Sequence, residues 1–417
     1  MRNCFPPATI DASRADRAVK IIQTASLTDA GENPVQEQRE RRVKLGIDGR
    51  EFQSPGLTGI GRYIRNFLNW LSENRTDVTP VVFLNQRCRY SPPSGRVQTV
   101  TINEHFTPVW DQVSLPAAIK AGGLDVFISP YVKMPFAAGC PVVLIINDLI
   151  PLRLPARDSG STPVKNVYFR LAAEAAVKRA AAIISISEFT KNEAVRVLGA
   201  AEEKIEVVRL GLEPRFRPTR GGAGTLEKSL GLAAGEYILY VGQFRTTKNT
   251  AALIRAYSAL GEELKDKYRL VLGGGESGEY ERLRALANSL GLAERVLFTG
   301  YVSDEELPSL LSNCAVFVYP SLYEGFGYPP LEAMACGAPV ISSGAASLKE
   351  ISGEAAMLVD PPSADKIAEA MTAMLSTPGL ADSYAEKGVE HARAFTVESM
   401  SKGFMRVAEK AAGSRGA

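Results

Sequence analysis

The chain has 417 residues, 45% of them apolar, and a formal net charge of +2. That length provides for two domains with sizeable cores, and the near-neutral balance leaves no footprint for nucleic acid. The longest apolar runs, such as Cys140 to Ile146, fall far short of the roughly 20 residues a membrane span needs. The N-terminus lacks a positive-then-apolar signal pattern. The five cysteines (Cys4, Cys88, Cys140, Cys314, Cys336) are scattered and contain no C-x-x-C, so they read as reduced cytosolic thiols. With only His105 and His391, the composition argues against a histidine-based metal site or triad.

Residues 1–42 are polar and proline-punctuated, which predicts a mostly disordered extension with a marginal helix over Ser13–Thr24. Val43 to Asp48 is a short buried strand. P-G-L-T-G-I-G-R-Y, Pro55 to Tyr63, then reads as a glycine-bearing loop ahead of an amphipathic helix from Arg62 to Leu71. Strands follow at Thr79–Leu84 and Val97–Ile102, and Trp110-Asp111-Gln112 leads a helix to Ala121. Leu124–Ile128 and Val142–Ile146 are unbroken apolar runs of the parallel-sheet kind.

The second of these runs ends at Asn147-Asp148, a strand C-terminus, where α/β proteins gather ligands. The Asn147 amide can hydrogen-bond a hydroxyl or phosphate but cannot shuttle protons. Asp148 has two readings, orienting an acceptor or capping the next segment. A helix from Pro163 to Ala181, a strand at Ala182–Ile186, a helix opened by Ser187-Glu188-Phe189-Thr190 and a strand at Ile205–Val208 complete a first domain, 43–214. The turn-rich R-F-R-P-T-R-G-G-A-G, 215–224, reads as the linker.

The second domain, 225–395, alternates strand and helix: strand Tyr237–Val241, loop Gly242 to Asn249, helix Thr250–Leu260, strand Arg269–Leu272. Gly273-Gly274-Gly275-Glu276-Ser277-Gly278 satisfies G-x-G-x-x-G. The following strand, Val296–Phe298, ends in Thr299-Gly300 without the acidic residue that a dinucleotide fold expects. Ser303 to Glu306 is a capping box.

From Cys314 to Pro339 the chain reads C-A-V-F-V-Y-P-S-L-Y-E-G-F-G-Y-P-P-L-E-A-M-A-C-G-A-P. A strand (Ala315–Tyr319), a glycine-rich turn and a helix (Leu331–Cys336) make an anion-binding arrangement, because free N–H groups and the helix dipole favour negative charge. Pro329 and Pro330 suit first-turn positions, and Gly337 the helix end. Glu324 in the turn and Glu332, read as lying in the first helical turn, frame the cradle. A carboxylate accepts two hydrogen bonds from a vicinal diol, so two of them beside a phosphate site point to a nucleotide-sugar, with a sugar at one end and a ribose at the other. Strand Pro339–Ser342, a loop from Gly344 to Lys349, strand Ala355–Val359 and helices at Ala364–Ser376, Leu380–Ala394 and Thr396–Ala411 close the chain.

E-G-F-G-Y-P-P-L-E resembles the E-x7-E signature of retaining GT-B glycosyltransferases of family 4 (group 1), and the surrounding P-S-L-Y-E-G-F-G-x-P-x-L-E-A-M-A-C-G-x-P-V-I is similar throughout. The resemblance extends over nearly all of 43–412 and is strongest from Tyr237 to Pro361. It implies a GT-B fold, two facing Rossmann-like doubly wound α/β domains with a cleft between them, and a closing segment, 396–417, that packs back on the first domain.

It also implies site roles. Glu324 would contact the donor-sugar hydroxyls, the amides near Phe326 and Gly327 would hold the donor, and Glu332 would bind the ribose diol, with Leu331 beside it. Gly242 and Gly275 would border the donor nucleotide, and Tyr301 and Val302 the base. Lys248 matches the family lysine on the leaving diphosphate. The family arginine is displaced, with Arg245 nearby. G-I-D-G-R and T-G-I-G-R-Y match the family opening and would set the Gly59-Ile60-Gly61 loop near the diphosphate and acceptor. Many relatives have His-Asp where this chain has Asn147-Asp148.

The expected protein is a cytoplasmic, metal-independent retaining transferase without a cofactor, with a GDP- or UDP-sugar as donor. Its acceptor is expected to be a saccharide or lipid-linked saccharide in surface polysaccharide synthesis, mannose being the favoured sugar, with room for peripheral contact at the cytoplasmic membrane face. The alternatives are a catalytically weak sugar-nucleotide-binding relative and a dinucleotide oxidoreductase.

Overall fold

The computed structural model describes residues 42–53, 57–104, 106–153, 163–219, 224–275 and 279–413. The extension read over residues 1–42 lies outside the described residues except for Arg42. The same holds for residues 220–223 of the linker and for Glu276, Ser277 and Gly278 of the glycine-rich loop.

The strands form two parallel sheets. The first contains β1 (Val43–Asp48), β2 (Val78–Asn85), β3 (Gln98–Ile102), β4 (Val126–Ser129), β5 (Val142–Ile146), β6 (Ala182–Ser185) and β7 (Ile205–Val207), in the order β3-β2-β1-β4-β5-β6-β7. The second contains β8 (Tyr237–Val241), β9 (Arg269–Gly273), β10 (Val296–Gly300), β11 (Val316–Tyr319), β12 (Val340–Ser343) and β13 (Met357–Val359), in the order β10-β9-β8-β11-β12-β13. Each order runs outward from its first strand and reverses once, the doubly wound pattern. The reversal falls between β1 and β4 in one sheet and between β8 and β11 in the other, and such reversals are where α/β sheets bind ligands. Both pairs are in parallel register, Leu45 against Val126 and Val316 against Ile238. The apolar runs became strands because helices cover both faces of such sheets: Tyr237 to Tyr240 and Val316 to Val318 are completely buried.

The helices follow their caps. Thr58 accepts the Gly61 amide and starts α1 (Gly59–Asn74) three residues before the predicted Arg62. Gly59, Ile60 and Gly61 are therefore the first turn of that helix and not a loop. The helix foreseen from Trp110 begins earlier, at Thr107, passes through a π stretch at Trp110–Ser114 and ends as α2 (Leu115–Gly122). Then come α3 (Pro163–Arg179), α4 (Glu188–Leu198) capped by Ser187, α5 (Thr250–Ser258), α6 (Tyr280–Ser289) and α7 (Tyr328–Ala335). The chain closes with α8 (Ala364–Ser376), α9 (Leu380–Ala392) and α10 (Val397–Gly413). The Ser303 hydroxyl accepts the Glu306 amide at 3.2 Å, the capping-box bond ahead of a short helix, Leu307–Ser312.

By packing, the described chain separates into two compact units. One runs to residue 145 and takes in 179–182 and 405–413; the other takes 146–178 and 183–404. The second unit thus reaches back to Ile146, well before the 215–224 stretch, because the segment after β5 and the start of α4 pack against the turn after β11.

Candidate active site

In the second unit, the loop after β8 and the turn after β11 converge. Thr246–Lys248 forms one 3-10 turn, and the Lys248 amide bonds the Arg245 carbonyl at 2.8 Å. Asn249 leaves it in the left-handed region (φ 56°) and ties its side-chain amide to the Pro362 carbonyl at 2.9 Å. The Thr247 carbonyl takes the Leu322 amide at 2.8 Å and the Ser321 hydroxyl at 3.1 Å, which joins this loop to the exit of β11.

The result is an ion pair between Lys248 Nζ and Glu324 Oε1, with the two side chains 15% and 13% exposed. The Tyr319 hydroxyl donates to the same carboxylate oxygen at 2.8 Å. Burial, and then the negative charge of Glu324, raise the Tyr319 phenol far above its usual range, so it remains a proton donor to that carboxylate.

The turn itself is built so that its carbonyls are occupied. The Glu324 and Phe326 carbonyls both lie 2.9 Å from the Ser347 hydroxyl. The Gly325 carbonyl is met by Ser187 and Thr190. No hydrogen bond among the described residues engages the amides of Gly325, Phe326 or Gly327.

Both glycines are sterically required. A Cβ on Gly325 would lie 1.7 Å from the Asn147 carbonyl oxygen, and Gly327 sits at φ 112°, where a Cβ would come within 2.5 Å of Leu348. Gly327 is the N-cap of α7, which opens with Tyr328 and places Pro329 and Pro330 in the first turn. Because the helix begins at Tyr328, Glu332 is its fifth residue, beyond the first turn where it was expected, and only 4% exposed. Leu331 is wholly buried and the Phe326 ring packs on Tyr328 and Phe395, so Phe326 offers only its backbone to a ligand.

Asp148 belongs to the same neighbourhood. Its carboxylate accepts the Ile150 amide at 3.0 Å, the capping bond that sequence reasoning offered as one of two readings. Burial, and then the charge of Glu324, raise its carboxyl above the ordinary aspartate value, with Lys248 and Arg245 pulling the other way. Arg245 is exposed, yet it is close enough to act on that carboxyl.

The remaining expected donor positions sit on neighbouring strand ends. A Cβ on Gly242 would meet the Tyr240 hydroxyl at 2.8 Å, while Gly275 has open space around it. Val302 is buried, and Tyr301 is 66% exposed.

The first unit carries a polar constellation that sequence reasoning missed. Arg50, just past β1, grips Asp48 through Nε (3.0 Å) and Nη2 (2.7 Å) and reaches Asp111 at 2.7 Å. Asp111, in the π stretch, also takes Lys133 at 2.9 Å, and the Arg50 guanidinium lies over the Trp110 and Tyr131 rings. Tyr131 and Thr58 donate to the two oxygens of Glu51 at 3.0 and 2.6 Å. Burial lowers the Arg50 guanidinium, but Asp48 and Asp111 outweigh it and raise the group overall; burial and the Arg50 charge hold the Lys133 ammonium down. The only sequence signal was G-I-D-G-R itself, since Asp111 and Lys133 come from distant segments.

Residues 226–391 match the family model described as Glycosyl transferases group 1, and residues 57–216 the model described as Glycosyltransferase Family 4. Over 219 residues the chain is 33% identical to O-antigen chain mannosyltransferase B of Escherichia coli, covering 52% of this chain and 57% of that protein. Over 281 residues it is 31% identical to D-inositol 3-phosphate glycosyltransferase of Acidothermus cellulolyticus, covering 64% and 62%. The chain thus spans less than two thirds of the length of these relatives. In fold it is similar to the Anabaena HepE protein solved in complex with UDP and glucose, with a TM-score of 0.71 at 18% identity over 88% of this chain and all of that one. The two parallel-sheet α/β domains are those of GT-B glycosyltransferase structures.

Proposed function

The chain belongs to the group 1 and family 4 glycosyltransferases, whose two models together take in most of its length, and we propose that it is a retaining hexosyltransferase of surface polysaccharide synthesis. The donor is a GDP- or UDP-sugar and the acceptor a saccharide or lipid-linked saccharide. Mannose is favoured because relatives at 33–34% identity are named as mannosyltransferases. The observation that carries the reading is the convergence of Lys248, Glu324 and three open backbone amides at the β8–β11 reversal.

In this reading the amides and Lys248 take the donor diphosphate, and Glu324, released from Lys248, accepts hydrogen bonds from the sugar hydroxyls. The acceptor oxygen bonds to the anomeric carbon on the face from which the bond to the diphosphate breaks, so configuration is retained. The acceptor proton passes to the departing diphosphate, whose growing charge Lys248 and Arg245 stabilise more than they stabilise the ground state. In this reading these cations replace a metal. Among the described residues no helix is long and apolar enough to cross a membrane; a lipid-linked acceptor would bring the protein to the cytoplasmic membrane face as a peripheral visitor.

The test is a thermal-shift panel of UDP, GDP, ADP and their sugars, followed by transfer assays with the selected donor and NMR of the product anomer. A ligand at 100 times its dissociation constant adds about 2.7 kcal/mol. Lys248→Ala and Glu324→Ala are each expected to lower kcat by roughly 100-fold or more. Near-normal turnover in both, or an inverted anomer, would sink the reading.

A further inference from the structure

The S-E-F-T segment that opens α4 has no role in the reading above, yet its hydroxyls are among the most completely buried in the molecule: Ser187 is 0% and Thr190 1% exposed. Ser187 alone satisfies the helix, because its hydroxyl oxygen accepts the Thr190 amide at 3.1 Å. Capping asks nothing of the Thr190 side chain. A buried hydroxyl costs stability unless it is bonded, and that of Thr190 is bonded away from its own helix, to the Gly325 carbonyl at 3.1 Å. The Ser187 hydroxyl lies 2.7 Å from the same carbonyl and 3.0 Å from the Thr190 hydroxyl. A carbonyl oxygen has two lone pairs, so the two hydroxyls and the carbonyl form one hydrogen-bonded cluster.

The consequence is geometric. In a trans peptide the N–H points opposite to the C=O. Fixing the Gly325 carbonyl toward α4 therefore turns the Phe326 amide the other way, just as Ser347, at the Glu324 and Phe326 carbonyls, turns the amides of Gly325 and Gly327. Gly325 can come this close only because it lacks a Cβ, which would strike the Asn147 carbonyl. We infer that Ser187 and Thr190 are positioning residues for the donor: their paired hydroxyls hold the Glu324–Gly327 turn so that its amides and the Glu324 carboxylate face the nucleotide-sugar. The inference rests on the proposed transferase reading for its ligand, but not for the clamp itself.

Two substitutions of Thr190 separate hydroxyl from packing. Thr190→Val keeps the volume and loses the hydroxyl; Thr190→Ser keeps the hydroxyl and loses a methyl. Backbone 15N order parameters of Gly325 to Gly327, followed in the full chain without ligand, are expected to fall from the rigid range, about 0.85, to below about 0.6 in the Val variant and to stay near the parent values in the Ser variant. With a donor that the parent turns over, kcat is expected to fall roughly tenfold or more in the Val variant, since small misplacements of a reacting group are costly, and to be restored in the Ser variant. Unchanged order parameters at the turn in the Val variant, or a Ser variant worse than the Val variant in order or kcat, would overturn the clamp. If the parent shows neither nucleoside-diphosphate binding nor transfer, the functional reading falls, and the order parameters still decide the clamp.

Discussion

The two sheets reverse their strand order at equivalent places, and each reversal carries a cluster of opposite charges, but the clusters are built for different ends. Past β1 and β4, Arg50 is held by two carboxylates that are 1% and 6% exposed, sandwiched by aromatic rings, and its partners are shared with Lys133. Past β8 and β11, Lys248 and Glu324 form a single pair, 15% and 13% exposed, next to backbone amides that no hydrogen bond among the described residues engages. The first cluster answers its charges within itself. In the proposed reading the second is a pair that the donor takes apart, Lys248 turning to a phosphate and Glu324 to sugar hydroxyls. A buried charge network is costly to break from within, whereas a pair exchanged for the phosphate and hydroxyls of a ligand keeps both charges answered.

The sharpest way to break this comparison is to remove Arg50. Arg50→Met leaves Asp48 and Asp111 buried with only Lys133 to answer them. The expected loss is about 3–5 kcal/mol of stability, read as a fall in the urea midpoint, with nucleoside-diphosphate affinity unchanged in the fraction that remains folded. A loss under about 1 kcal/mol would show that the first cluster is as loosely held as the second.

Next in size is Gly325→Ala. The added methyl must displace the Asn147 carbonyl or the turn itself, because the atom it meets is backbone. Transfer is expected to fall about 100-fold while the melting temperature moves by only a few degrees. An active alanine variant would mean that the turn adjusts freely and that its carbonyl anchors do not set the amides.

The two clusters also differ in how much of them could be read from the sequence. The second was legible because its parts lie within one contiguous stretch, with the residues from Tyr319 to Glu332 spaced by a strand end, a turn and a helix start, and because Lys248 follows the neighbouring strand. What escaped was register: Tyr328, and not Leu331, starts α7, since prolines fit the first turn and Gly327 can take the positive φ that ends the preceding loop. Gly59 and Gly61 read as a loop because glycine is common in turns, whereas the Thr58 cap outweighs their modest helix penalty. The first cluster escaped because its contacts span 61 and 22 residues of sequence, and nothing in W-D or Y-V-K marks them as partners of G-I-D-G-R. The Ser187–Thr190 clamp escaped likewise, since its target lies 138 residues on from Ser187.

The smallest effect tests whether the donor side is held at a cost in stability. Asp148 is buried beside Glu324, so its carboxyl titrates above the ordinary value of about 3.9. Between that value and the raised one, the folded state holds a proton that the unfolded state has released. Stability therefore falls as pH rises through this window and stays lower above it. Asp148→Asn keeps an acceptor for the Ile150 amide and removes the charge. The variant is expected to be more stable than the parent at pH 7, by on the order of 0.5 kcal/mol, with the advantage shrinking to nothing as the pH is lowered toward 4. A constant difference across that range would mean that neither burial nor Glu324 raises the carboxyl in the folded protein.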